Sequence, residues 1–130
     1  MKKKKSKNII IIGGCGRIGS AMIEPLLLSD FNVIIADIDK KKSSSILNKY
    51  NDERLSFFKC DITKDSSIDK FLIASKKHFK KIDTVIFCAY PKSKEWGIEF
   101  EKIKRYHLNS DLGGHLGSAI IFSQKIIRLY

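Results

Sequence analysis

Residues 8–19 read NIIIIGGCGRIG, a run of four isoleucines followed by four glycines within seven residues. A short stretch that is apolar on both faces is the pattern of a strand buried inside a parallel sheet. Glycines placed directly after it let the backbone turn tightly and come close to another group. From Arg17 to Leu28 the apolar residues Ile18, Met22, Ile23, Leu26 and Leu27 recur at helical spacing. Pro25 lies inside that span, where it removes the bond back to Ala21 and kinks or shortens the helix. The opening unit is therefore strand, glycine turn, helix.

The same order repeats along the chain. FNVIIAD is a second strand ending at Asp37, residues 40–50 suit a helix, and LSFFKCD is a third strand ending near Asp61. DSSIDKFLIASKKHFKKID reads as a helix whose Ile68, Phe71, Leu72, Ser75 and Phe79 share one face. Ser66 and Asp69 have the spacing of a capping box, and lysines crowd the last turn, where the helix dipole favours them. DTVIFCA is a fourth strand. A polar, irregular piece (YPKSKEWG) follows, then helical sequence with Leu112, Leu116, Ala119, Ile120, Ser123, Ile126 and Ile127 along one side. Alternating strands and helices imply α/β architecture, a parallel sheet of about four strands joined by right-handed crossovers.

Gly14, Gly16 and Gly19 satisfy G-x-G-x-x-G, while Gly13, Gly16 and Gly19 satisfy G-x-x-G-x-x-G. Either pattern alone is weak. Here it follows a strand, opens a helix, and has Asp37 eighteen positions beyond Gly19, which is the context of a dinucleotide-binding fingerprint. The early glycines permit the turn, Gly16 lets backbone N–H groups near a pyrophosphate, and Gly19 allows helix and strand to pack closely. Asp37 is placed to accept hydrogen bonds from an adenosine ribose and would repel a 2′-phosphate, so the expected cofactor is NAD rather than NADP. Arg17 and Lys40–Lys42 pull the other way, as cations able to offset that repulsion.

The net charge of +11 needs a place in this reading. Five basic residues sit in the opening MKKKKSK, so residues 1–7 read as a solvated, disordered tail and 8–130 as the folded domain. No aromatic residue interleaves the lysines, which argues against a nucleic-acid arm, and no apolar window is long enough to span a membrane. Cys15, Cys60 and Cys88 lie singly without CxxC spacing, against a disulfide framework or a zinc site. His78, His107 and His115 complete no metal-ligand spacing either, so no metal is expected. A reducing, cytoplasmic setting follows from the cysteines.

With the glycine turn, Asp37, CDIT at 60–63 and DTVIFCAYP taken together, the chain resembles the short-chain dehydrogenase/reductase family from Asn8 to Tyr130. The resemblance implies a Rossmann-like fold, shortened relative to the full doubly wound sheet. It implies that Asp61 and the backbone of Ile62 contact adenine. It also implies that the loop after the fourth strand, usually N-N-A-G, lines the cofactor ribose. Here that loop is FCAYP, retaining only Ala89, with Tyr90 following it. The expected cofactor-binding set is thus Gly13, Gly16, Arg17, Ile18, Gly19, Asp37, Asp61, Ile62, Ala89 and Tyr90. Aligned through the later SQ, the family's catalytic asparagine position is occupied by His115.

The family's chemistry requires a tyrosine, a lysine four residues later on the same helix, and an upstream serine. Tyr90 and Lys94 match Tyr-x-x-x-Lys formally, but they directly follow a strand and Pro91 prevents a helical pair from starting at Tyr90. No other tyrosine has a lysine at that offset, and the serine strand and dyad helix would be expected after Tyr130. The expected catalytic set is empty. The chain reads as a dinucleotide-binding portion of an oxidoreductase, inactive alone. The alternatives are a non-catalytic sensing or scaffold module, or an enzyme half completed by another chain. Partners are expected at the open edge of strand four and the last helix, either a second copy or a complementary chain.

Overall fold

Strand β1 (Asn8–Ile12) carries the isoleucine run, and Ile9 to Ile12 are all buried because the strand has neighbours on both edges and helices over both faces. Asn8 to Ile12 pair in parallel with β2 (Asn32–Asp37) on one side, and Ile9 to Ile12 with β4 (Thr84–Phe87) on the other. β3 (Leu55–Lys59) pairs with the outer edge of β2, so the order is β3-β2-β1-β4. The computed structural model describes residues 6–130. Of the tail read over residues 1–7, residues 1–5 lie outside the described residues. Lys7 already belongs to the sheet's rim, its carbonyl accepting the Asn32 N–H at 2.9 Å.

The helices divide between the two faces as strand alternation dictates. Ile9, Ile11, Val33 and Ile35 face α2 (Ile23–Leu28) and α3 (Lys40–Tyr50), with Ile23 and Leu27 buried among them, and α1 (Arg17–Ala21) leads from the glycine turn into α2. Ile10, Ile12, Ile34 and Ala36 face α4 (Asp65–His78) and α6 (Ser118–Leu129), against Ile68, Phe71, Leu72 and Phe122. Pro25 acts as its chemistry requires. The helix breaks at Met22, before the proline that cannot donate to Ala21.

Three local expectations give way to tertiary partners. Ser66 and Asp69 do not form a capping box. Lys64 is the N-cap of α4 without a side-chain cap, Ser67 Oγ accepts the Asp61 N–H at 2.9 Å, and Asp69 pairs with Lys125 at 2.6 Å. α4 also ends at His78 rather than near Asp83. Asn8 donates its backbone N–H to Asp83 and its side-chain amide to the Lys81 carbonyl, which pins that segment beside β1 and takes it out of the helix. Finally, the last helical region is not continuous. A 3-10 turn (Phe100–Lys102) precedes α5 (Arg105–Leu112), and a π-helical turn (Gly113–Gly117) joins α5 to α6. Glycine inside a helix costs about 1 kcal/mol relative to alanine, and three glycines in GGHLG leave this segment free to widen into the rarer geometry.

The apolar stripe of Leu112, Leu116, Ile120 and Ile127 is exposed, and the core contact comes from the neighbouring face. Phe122, 1% exposed, lies 6.0 Å from the Phe71 ring and 6.3 Å from the Phe87 ring, centroid to centroid. Phe122→Ala is expected to lower stability by about 3–5 kcal/mol, the range for emptying a buried aromatic site. Urea unfolding followed by circular dichroism would show it. A change under about 1 kcal/mol would mean that α6 is not docked through this ring.

Candidate functional site

Strand order reverses on either side of β1, with β2 to one side and β4 to the other. In open α/β sheets the crevice at the carboxyl ends of the strands, at such a reversal, is where ligands bind. The glycine turn sits there. Gly13 has φ +78°, and a Cβ on it would lie 2.6 Å from the backbone of Ala89, so the turn presses against the end of β4. Its N–H donates to the Ala36 carbonyl at 2.8 Å, and its carbonyl accepts the Gly16 N–H at 3.0 Å. Gly19 is buried in α1, where a Cβ would overlap the Gly13 carbonyl and lie 2.8 Å from the Gly14 Cα. Gly16 differs from both. Its φ of −73° suits any residue, and a Cβ there would meet only the Gly13 carbonyl oxygen, at 3.2 Å.

Asp37 ends β2 with its carboxylate turned to this loop. Oδ2 accepts the Cys15 N–H at 2.9 Å and Oδ1 accepts the Asp39 N–H at 3.0 Å. Asp39 in turn caps α3 by accepting the Lys42 N–H at 2.8 Å, a cap the sequence signals by an aspartate three residues before Lys42. One carboxylate thus fastens the glycine turn to the start of the next loop. Cys15 contributes its backbone, not its thiol. Burial, then the negative charge of Asp37 and Asp39, pushes that thiol up to about 12, far from a reactive thiolate. The Cys60 thiol is pushed up to about 12 by burial and Asp61.

Beyond β3, Asp61 closes its own turn. Oδ1 accepts from the Thr63 N–H at 3.0 Å and the Thr63 hydroxyl at 2.6 Å, and Lys64 Nζ lies 3.4 Å from Oδ2. The Thr63 hydrogen bonds, with Lys64 in support, hold this carboxyl below the usual aspartate range.

These segments enclose a cleft of ≈ 340 Å³. Gly13, Gly16, Asp37, Asp61, Ile62, Ala89 and Tyr90 all line it, so seven of the ten residues named from the sequence meet in one place. The other three do not line it. Gly19 is the spacer beneath the turn, and Arg17 and Ile18 open α1 with exposed side chains. The N–H groups of Arg17 and Ile18 find no carbonyl partner among the described residues, as befits a first helical turn. Sequence reasoning missed Cys15 and Asp39 in the lining, where Lys42 also stands, one of the cations read as able to offset the charge of Asp37. His107, outside the lining, is buried on α5, where its Nδ1 accepts the Lys104 N–H at 3.0 Å.

A parallel α/β sheet that reverses at its first strand, with a glycine turn and a fastened carboxylate at that point, defines the Rossmann-like nucleotide-fold class. The sequence profile of short chain dehydrogenases matches residues 7–106, and the chain belongs to that family. The post-translational flagellin modification protein A of Campylobacter coli is 30% identical over 131 aligned residues, covering 97% of this chain and 51% of the relative. A short chain dehydrogenase of Leptospira borgpetersenii, solved with bound NAD+, is 25% identical with a TM-score of 0.78, covering 99% of this chain and 50% of its own. A Brucella melitensis short-chain dehydrogenase/reductase shares the fold at a TM-score of 0.83 and 18% identity, covering 99% of this chain and 54% of its own. The chain spans about half the length of these proteins.

Proposed function

We propose that the chain binds NAD(H) across the carboxyl ends of its strands and is the nucleotide-binding part of a short-chain dehydrogenase/reductase-type oxidoreductase, without turnover by itself. The observation that carries this is the Asp37 carboxylate, tied to the Cys15 N–H inside the cleft. A carboxylate so held still has lone pairs for a pair of ribose hydroxyls. Asp61 and Ile62 would hold adenine, Gly13 to Gly16 with the N–H groups of Arg17 and Ile18 the diphosphate, and Ala89 and Tyr90 the second ribose. The residues fit such a group in kind: a glycine-lined middle for the phosphates, a carboxylate for a sugar, and the apolar Ala36 and Ile62 beside them. When bound, the nicotinamide supplies the hydride chemistry.

The charge on Asp37 favours NAD(H) over NADP(H), and Lys42, the cation in the lining, partly offsets it. Tyr90 and Lys94 lie in a non-helical segment and cannot serve as an i, i+4 pair. The three unpaired thiols fit a reducing compartment such as the cytoplasm. Calorimetric titration of the purified chain tests the reading. Saturable NADH binding, weaker NADPH binding and no turnover with a panel of carbonyl compounds are expected. Absence of NADH binding, or robust turnover, would overturn it.

Completion through another strand is favoured by one observation. Among the described residues β4 has β1 on one side and no strand on the other. Beside that edge a groove of ≈ 390 Å³ is lined by Ile82, Val85, Ile126, Ile127 and Tyr130. Unpaired strand edges of this kind accept added strands. The exposed stripe on α5 and α6 supplies a second contact surface, suited to another copy of the chain. A stable oligomer that binds NADH and stays inactive whatever strand is supplied would instead favour the sensing or scaffold role.

A further inference from the structure

The inward side of the helical segment 105–122 changes character along its length. Phe122 is apolar and buried against the sheet, but the turns that precede it present Ser118, His115, Asp111 and His107, all half-buried or buried. A polar inward face marks the part of a helix that has run past the core. Here it meets the loop after β4. The His115 ring lies 4.7 Å from the Tyr90 ring, edge to face at 60°, and a Cβ on Gly114 would sit 3.7 Å from Pro91. Tyr90 and Pro91 line the cleft, whereas His115 stands behind Tyr90 and does not. His115 also lies in the π-helical turn, a geometry frequent at functional sites.

The cleft has a direction. Asp61 follows β3, Asp37 ends β2, the glycine turn follows β1, and Ala89 and Tyr90 follow β4. With strands about 4.8 Å apart, these stations extend over about 14 Å. An elongated ligand with adenosine at the Asp37 end therefore brings its other nucleoside to Tyr90. Tyr90 is 50% exposed, so its ring has a free surface for a planar partner.

We propose that Tyr90 forms the wall against which the nicotinamide ring of the dinucleotide is placed, and that His115 is the positioning residue holding the Tyr90 ring in that orientation through their edge-to-face contact. The proposal rests on the NAD(H) reading above. It makes the pair a determinant of how the reactive end is held, distinct from the Asp37 end that holds adenosine. An aromatic pair of this geometry adds modestly to burial, and its value here lies in removing the ring's freedom before the ligand arrives.

The test uses two ligands on the full chain, NADH and ADP-ribose, which lacks the nicotinamide. Tyr90→Ala is expected to weaken NADH about tenfold and ADP-ribose, which keeps the second ribose, by a clearly smaller factor. His115→Ala should shift NADH in the same direction by a smaller factor, and His115→Phe, which keeps an aromatic edge, should restore it. If His115 acts through Tyr90, the double alanine variant is no weaker than Tyr90→Ala alone. Equal weakening of both ligands, additive losses, or no effect of either substitution would overturn the proposal. ADP-ribose binding also reports that each variant is folded. Failure of the unsubstituted chain to bind NADH while ADP-ribose binds overturns the pair's role. Failure to bind either ligand overturns the dinucleotide reading and this inference with it.

Discussion

Gly19→Val is expected to destroy cooperative folding, while Gly16→Val leaves folding intact and abolishes nucleotide binding. The two glycines are three residues apart, and the contrast comes from what surrounds them. At Gly19 a side chain collides with the Gly13 carbonyl and the Gly14 Cα, both backbone atoms of the turn, with no flexible side chain to yield. Relief requires lifting α1 from the glycine turn. Overpacking typically costs about 1–3 kcal/mol and occasionally more, and a clash with backbone that cannot yield belongs at the costly end, a large part of the 5–15 kcal/mol typical of a whole domain. At Gly16 the backbone is ordinary and the crowding slight, but the position lines the cleft in front of the first helical turn. Valine there fills the space assigned to the diphosphate. Urea unfolding and NADH titration of both variants separate the outcomes. A Gly16→Val variant that still binds NADH at the original affinity would remove the phosphates from this turn.

Asp37→Ala should weaken NADH by about a hundredfold. Hydrogen bonds to a charged group are worth about 1.5–3 kcal/mol each, and this carboxylate serves the Cys15 N–H, the Asp39 N–H and, in the proposed complex, the ribose. Its removal loosens the turn as well as deleting the acceptors. Asp37→Asn is the finer probe. The amide keeps the shape and loses the charge, so NADH weakens and the preference over NADPH narrows, because the repulsion of a 2′-phosphate has gone. Titration of both cofactors reads the ratio. An unchanged ratio in Asp37→Asn would mean that discrimination is set elsewhere, with Lys42 the nearest candidate in the lining.

The features legible in the sequence are those fixed by neighbouring residues. Four isoleucines before a glycine cluster specify a buried strand and a tight turn whatever lies elsewhere, and both stand where expected. Asp37 was legible for the same reason, as the residue that ends a strand beside that turn. What stayed hidden depends on segments far apart in the chain. Asp69 meets Lys125, so the capping box suggested by Ser66 and Asp69 lost its acidic member to a partner fifty-six residues away, while the neighbouring Ser67 receives the Asp61 N–H. Phe122 escaped because the neighbouring stripe through Leu116 and Ile120 shows the stronger apolar periodicity, yet that stripe faces outward. The π-helical turn was foreshadowed by three glycines in GGHLG, which permit it without requiring it. The contact of Tyr90 with His115, twenty-five positions on, had no local signature at all.

The close approach of Gly13 to Ala89, with Cys88 N–H donating to the Ile12 carbonyl at 2.8 Å, leaves no compressible layer between the first turn and the last strand. They must travel as one piece. A neighbour that zips onto the free flank of β4 would therefore also steady the ground under the coenzyme. By thermodynamic reciprocity, coenzyme would in turn recruit that neighbour, each raising the other's affinity by the same factor.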